Sequence, residues 1–287
     1  MRFLFLAASA NFSWASDLPS IFMGIAALAG LALFINWAIR TKFGTKALDS
    51  PVFRPNSLPF YTVFTILFGW LGITLFASDF IRKLASNLPN WQQDFILYSV
   101  LVIVEVVIMV LVLASAKRFF QSGLAGLGLG RGGIFGDITS AFAMFIAVWP
   151  LVMIALYIIV LVGKSIAGAD FKVEQNEGLA VLLQYDQWSI RLLMIFFAAI
   201  LTPVFEELIF RGLLQSYFRS IDLGPWRSIF AASIVFTLLH PLMHFPALII
   251  LSITMGYAYE KSGSLLRCIF IHFFFNASTI AFALLGQ

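Results

Sequence analysis

Glu206, Glu207 and Arg211 stand together in the string Glu206-Glu207-Leu208-Ile209-Phe210-Arg211, two carboxylates and a guanidinium inside an otherwise apolar stretch. An ionised side chain at bilayer depth costs about 2.5–3.5 kcal/mol on insertion scales, so such groups persist where they pair, meet water or do chemistry. Glu207 and Arg211 are four residues apart and share one helix face, with the acid in the favourable N-terminal place. Glu206 is turned by about 100° from Glu207. One carboxylate can therefore be neutralised by Arg211 while the other stays free as a base. Taken alone, the same residues also fit an ion pair reaching the membrane interface.

The remaining polar chemistry lies downstream. His240 closes the string Phe236-Thr237-Leu238-Leu239-His240, and His272-Phe273-Phe274-Phe275-Asn276 aims two polar groups at one side of a helix. Singly, a histidine here reads as a bonded core residue, and the His272/Asn276 pair as a helix–helix hydrogen bond of about 0.6 kcal/mol. Depth favours a shared site. With helix ends near Ser220, Trp226 and Ser264, a 1.5 Å rise puts Glu206 and His240 each roughly 20 Å from those ends, and His272 and Asn276 at roughly 12 and 18 Å. Four polar residues from three helices thus fall in one layer, which implies a water-filled polar pocket. His244, between Pro241 and Pro246, reads as a turn residue. Glu105, in the middle of the third apolar run, must face the bundle interior or water. Pairing with a neighbouring helix and lining a substrate path both remain open for it, and it stays outside the catalytic set.

The elements that must position these groups are membrane helices. Of the 287 residues 61% are hydrophobic and 11% charged, against about 25% charged in soluble chains; mean hydropathy is +0.97. The fold class expected is all-α, a polytopic integral membrane bundle of about eight transmembrane helices, near 20–39, 60–78, 95–116, 138–163, 189–210, 227–243, 246–260 and 265–285. The sixth and seventh runs are separated only by a tight turn and should form an antiparallel hairpin. Lys and Arg concentrate after runs one, three, five and seven, which places those loops in the cytoplasm and both termini outside. Trp37, Trp91, Trp188 and Trp226 mark run ends, as interfacial anchors do. The basic pI near 9.3 follows from that topology, and no nucleic-acid partner is expected. The single cysteine, Cys268, excludes an internal disulfide and reads as core. Residues 1–16 read as a short translocated tail or interfacial segment, their apolar run being too short for a signal peptide. The glycine-rich stretch 121–133 lacks the Lys-Ser/Thr and preceding strand of a phosphate loop and reads as a flexible cytoplasmic linker. The chain divides into residues 1–116, a tail and three-helix variable region, a linker at 117–137, and a five-helix catalytic core at 138–287.

The EExxxR, FxxxH and HxxxN strings, in this order and separation, resemble the CAAX protease and bacteriocin-processing (Abi) family of intramembrane glutamate endopeptidases, related to the Ras-converting endopeptidase. The segment Gly256-Tyr257-Ala258-Tyr259-Glu260-Lys261-Ser262-Gly263-Ser264 is similar as well. The resemblance covers roughly residues 120–285. It implies that Glu206 is the base that activates a water, assisted by His240, that Glu207 with Arg211 is a supporting ion pair, and that His272 and Asn276 stabilise the tetrahedral oxyanion. It implies no cofactor. Zinc held by Glu206, His240 and His272 is the rival, since His/His/Glu is a catalytic zinc set, although no HExxH helix is present. The function expected is hydrolysis of a peptide bond in a membrane-associated peptide or protein, in a bacterial-type plasma membrane with the site opening toward the cytoplasm. A non-proteolytic immunity or scaffold protein using the same groove is the alternative, and a proton or solute carrier a third. Substrate identity and oligomeric state are not legible.

Overall fold

The computed structural model describes residues 14–130, 133–173 and 175–285, with side chains from Ile21 onward. Most of the reading of residues 1–16 lies outside the described residues. The chain is helical throughout: α1 (Trp14–Arg40), α2 (Phe60–Leu84), α3 (Asn90–Phe119), α4 (Ile134–Ala167), α5 (Glu177–Gln184), α6 (Trp188–Ser220), α7 (Pro225–Leu238), α8 (Phe245–Ser262) and α9 (Leu265–Leu285). Short 3₁₀ turns occur at Gly123–Leu127 and Leu242–His244. Large apolar side chains such as Phe22, Leu28, Leu75, Phe76 and Ile103 line the outer surface, which is the surface a bilayer covers rather than water. This is a multi-pass integral membrane bundle.

Among the described residues seven helices are long and apolar enough to cross a membrane, and α7, with 14 residues, is not. The expected sixth span, 227–243, ends early because Leu239 leaves the helix and Pro241 cannot continue it. At 1.5 Å per residue α7 reaches only about 21 Å. It still rises antiparallel to α8, against which it packs, so the hairpin exists with one short leg. The missing length leaves His240 just past the end of α7, inside the bundle's height. The sequence reading has no counterpart for α5, a short amphipathic helix whose N-cap Asn176 accepts from the Gly178 amide at 2.9 Å.

One end of the bundle gathers the loops that carry the basic residues. Asn56 pairs with Phe120 as an isolated bridge and donates to the Ser216 carbonyl, Val52 donates to the Glu260 carbonyl, and Leu265 donates to the Gly128 carbonyl. The glycine-rich stretch is docked on the bundle at Leu127 and Gly128. Leu127 is fully buried, and Gly128 has a φ of +84° with its Cα facing the Gly263 carbonyl so closely that no Cβ fits.

The first three helices do not stand apart as a bundle. α1 packs along α4, α2 along α3, and α3 against α6. The α1/α4 contact has a specific cause. Pro150 sits inside α4 and supplies no N–H to the Ile146 carbonyl four residues earlier. Gly30 of α1 brings its backbone against that same carbonyl and the Pro150 ring, as small residues do where membrane helices approach closely.

Candidate active site

α6 is not a uniform α-helix. Phe197–Leu201 and Leu208–Gln215 are wound as π-helix on either side of an α-helical turn, Thr202–Glu207. Pro203 accounts for the first widening, since its ring would otherwise meet the carbonyl of Ala199 and its missing N–H breaks the regular ladder. Single turns of π-helix recur at functional sites because they re-aim side chains. Here the re-aimed turn carries Glu206 and Glu207.

Glu207 and Arg211 form the anchor. Both are buried, and Arg211 Nη1 donates to Glu207 Oε1 at 2.8 Å. Arg211 Nη2 donates to the Ser252 carbonyl at 3.0 Å and to its hydroxyl at 2.7 Å, so the guanidinium ties α6 to α8. His272 Nδ1 donates to the same Glu207 oxygen at 3.0 Å, which brings in α9. The pair expected from the four-residue spacing is thus the joint of three helices and not an interfacial pair.

Glu206 lies between two imidazoles. Its Oε1 is 3.9 Å from His240 Nε2 and its Oε2 is 3.7 Å from His272 Nε2. These separations exceed a direct hydrogen bond yet suit one water contacting both partners. The other ring nitrogen of each histidine fixes the tautomer. His240 Nδ1 is 2.8 Å from the Phe236 carbonyl, which can only accept, so Nδ1 carries the proton. His272 Nδ1 faces a carboxylate and carries it likewise. In their neutral forms both rings therefore present an Nε2 lone pair toward Glu206. Phe236 supports the group from one side. Its ring lies 5.1 Å from the Arg211 guanidinium carbon, 4.7 Å from the His240 ring and 6.1 Å from the His272 ring.

Asn276 is half-buried at the next turn of α9, and its Nδ2 donates to the Ala198 carbonyl at 2.8 Å, within the first π stretch of α6. Widening the helix redirects such a carbonyl, and Asn276 satisfies it. An amide nitrogen carries two protons, so one donor remains. The structure therefore brings His240 and His272 each within 4 Å of Glu206 and places Asn276 on the Ala198 carbonyl. His244 lies in the 3₁₀ turn before α8.

On the basic-loop side of this site the bundle is closed by a second polar layer that the sequence reading did not find. Arg54 Nη2 donates to Glu260 Oε1 at 2.8 Å, Gln215 Nε2 donates to the same oxygen at 2.9 Å, and the Arg54 guanidinium lies 3.7 Å from the centre of the Tyr259 ring. Arg219 Nε stands 3.4 Å from Glu260 Oε2, and Tyr259 donates from its hydroxyl to the Leu127 carbonyl. Arg54 reads from sequence as one more basic loop residue, whereas it is 4% exposed. Its proximity to Glu260 is a long-range contact with no local signal. The exposed edge of the site is instead at His240, whose side chain is 21% exposed and is flanked by exposed Leu238, Leu239 and Leu242.

Among the described residues no group of three His, Cys, Asp or Glu side chains is arranged to hold a metal ion. Cys268 is fully buried, with its thiol directed at the Met255 carbonyl.

No curated protein and no solved structure matches the chain. A family model described as Rce1-like, type II CAAX prenyl endopeptidase Rce1-like, matches residues 187–278. That stretch runs from the residue before α6 into α9 and contains Glu206, Glu207, Arg211, His240, His272 and Asn276. Over this segment, about a third of the chain, the sequence is similar to Rce1-like type II CAAX prenyl endopeptidases.

Proposed function

We propose that the protein is an intramembrane endopeptidase that hydrolyses a peptide bond of a membrane-associated peptide or protein, with Glu206 activating the attacking water. The observation that carries this reading is the seating of one carboxylate between two imidazole nitrogens, 3.9 and 3.7 Å away, at a buried place in the bundle. A water held by Glu206 and His240 Nε2 gives up a proton to Glu206 as its oxygen adds to the scissile carbonyl carbon. The oxyanion that forms meets the second N–H of Asn276 and, when His272 is doubly protonated, its Nε2–H. Fixed donors of this kind supply the largest single contribution in many acyl-transfer reactions. The C–N bond then breaks, and the proton held by Glu206 passes to the leaving amine. Glu207 and Arg211 keep the rings and the π-wound turn in register.

Access is lateral. The exposed edge at His240 is bordered by apolar side chains, and the route from the basic loops is filled by Arg54, Gln215, Tyr259 and Glu260. The basic loops face the cytoplasm of a bacterial-type cell, by the Lys/Arg excess of short loops. The substrate is held in or on the bilayer, with the lipid-facing turn after α7 as its point of entry.

The test uses purified protein in liposomes and a quenched fluorescent peptide carrying a prenylated cysteine three residues from its end. Glu206→Gln should lower turnover by about a hundredfold or more, as expected for loss of a general base, while insertion and elution stay unchanged. Unaltered turnover in that variant refutes the assignment. Turnover abolished by a chelator and restored by zinc refutes the metal-free water-activation scheme. A peptide-binding scaffold would retain its phenotype with Glu206→Gln, and a carrier would move protons across the same liposomes.

A further inference from the structure

Among the described residues, Glu105 Oε2 on α3 and Thr202 Oγ1, Glu206 Oε2 and Glu207 Oε2 on α6 are buried polar atoms with no hydrogen-bond partner. Buried polar groups are almost always bonded, so orphans in one place mark a spot built for something else. Thr202 and Glu206 are four residues apart on α6 and share a face. Glu105 is 6% exposed, yet it lies outside the segment that matches the family and on a different helix.

Helix register puts it beside the site. α3 and α6 run in the same direction, with the Tyr98 and Phe197 rings in edge contact at 5.4 Å. Seven residues further along each helix, Glu105 comes level with Val204, between Thr202 and Glu206. α3 flanks α6 on one side, and α9 with His272 packs against α6 as well. A trans peptide bond points its C=O and N–H in opposite directions. A chain laid across Glu206 with its carbonyl toward the imidazoles and Asn276 turns its N–H away from them, and α3 brings an unpartnered acceptor to the same level of α6.

We infer that the orphan oxygen of Glu105 is a substrate-binding acceptor, taking a backbone N–H of the peptide seated over Glu206, with the Thr202 hydroxyl as a neighbouring donor to the same backbone. This rests on the proteolytic reading above and extends it, since it names the main chain of an extended peptide as what the wall opposite the histidines recognises. Side-chain identity at that point of the substrate then matters little.

The experiment measures KM and kcat on the prenylated fluorescent peptide and on a series N-methylated at one backbone position at a time. Glu105→Leu should raise KM about tenfold with kcat nearly unchanged, the fold expected for one lost hydrogen bond. Glu105→Gln, whose amide oxygen still accepts, should stay within about threefold of the wild type. N-methylation at one position should weaken the wild type and leave Glu105→Leu indifferent, a pattern that a purely structural role cannot produce. Glu105→Ala serves the same comparison if leucine is not accommodated. Equal KM values, or equal loss in both proteins at every methylated position, overturn the assignment of Glu105 alone. No cleavage of any peptide by the wild type overturns the proteolytic reading and this inference with it.

Discussion

Removal of the Arg211 guanidinium should be among the most damaging single changes available in this protein. Arg211→Ala deletes the 2.8 Å bond to Glu207, both bonds to Ser252 and the contact with the Phe236 ring. If these were ordinary interhelical hydrogen bonds in a membrane, three at about 0.6 kcal/mol would sum to roughly 2 kcal/mol. The larger effect is what remains. Glu207 has no exposed side-chain surface, and without Arg211 its carboxylate keeps, among the described residues, the His272 Nδ1–H as its partner. Breaking a buried pair by removing one member costs about 3–5 kcal/mol because it strands the other charge. The expected loss is thus about 3–5 kcal/mol in reversible SDS unfolding of the purified protein. Removing both charges should recover most of it, so Glu207→Leu/Arg211→Met should lie within about 2 kcal/mol of the wild type while failing to cleave peptide, since His272 has lost its acceptor. A loss below about 1 kcal/mol for Arg211→Ala, or additive losses in the double variant, would show that this ion pair is not the joint described here.

Two further outcomes test other parts of the structure. Gly30→Ala should destabilise by about 1–3 kcal/mol in the same unfolding assay, the usual range for overpacking, because its Cβ meets the Ile146 carbonyl and the Pro150 ring; Gly24→Ala, with nothing near its Cβ, should not. Tyr185 lies in the loop before α6, outside the spans, and its hydroxyl donates to Asp94 at 2.8 Å. Desolvation first, then the Asp94 hydrogen bond and charge, push its pKa from 10.0 up to about 12. The folded-state value is raised, so this contribution to stability is fully present below pH 10 and is lost as pH rises from 10.0 toward about 12. A stability-versus-pH series should show that decline in the wild type and not in Tyr185→Phe, and identical curves would remove the Asp94 contact from the account.

Much of this protein was legible along the chain because bilayer solvation is strict. Backbone groups in lipid must bond internally, so apolar runs of spanning length become helices, and the boundaries of α9 and the hairpin of α7 with α8 follow from the residues between them. The candidate site was legible for the same reason. Glu206, Glu207, Arg211, His240, His272 and Asn276 are polar where polarity is costly, and helical spacing sorts them into pairs by face. The Glu207/Arg211 pair needed only a four-residue interval.

Tertiary structure alone decided the rest. The π-wound stretches on either side of Thr202–Glu207 wind α6 differently from a regular 100° wheel, which spacing along the chain does not reveal. The place of Arg54 against Glu260 spans about two hundred residues of sequence, and local pattern carries no information at that range. The docking of Gly128 on Gly263 and of Gly30 on the carbonyl freed by Pro150 has no signal along the chain, because a missing Cβ is visible in sequence but the surface it admits is not. The partnerless oxygen of Glu105 belongs to the same class: composition shows that an acid lies in the third span, and only the packing of α3 beside α6 shows what it faces.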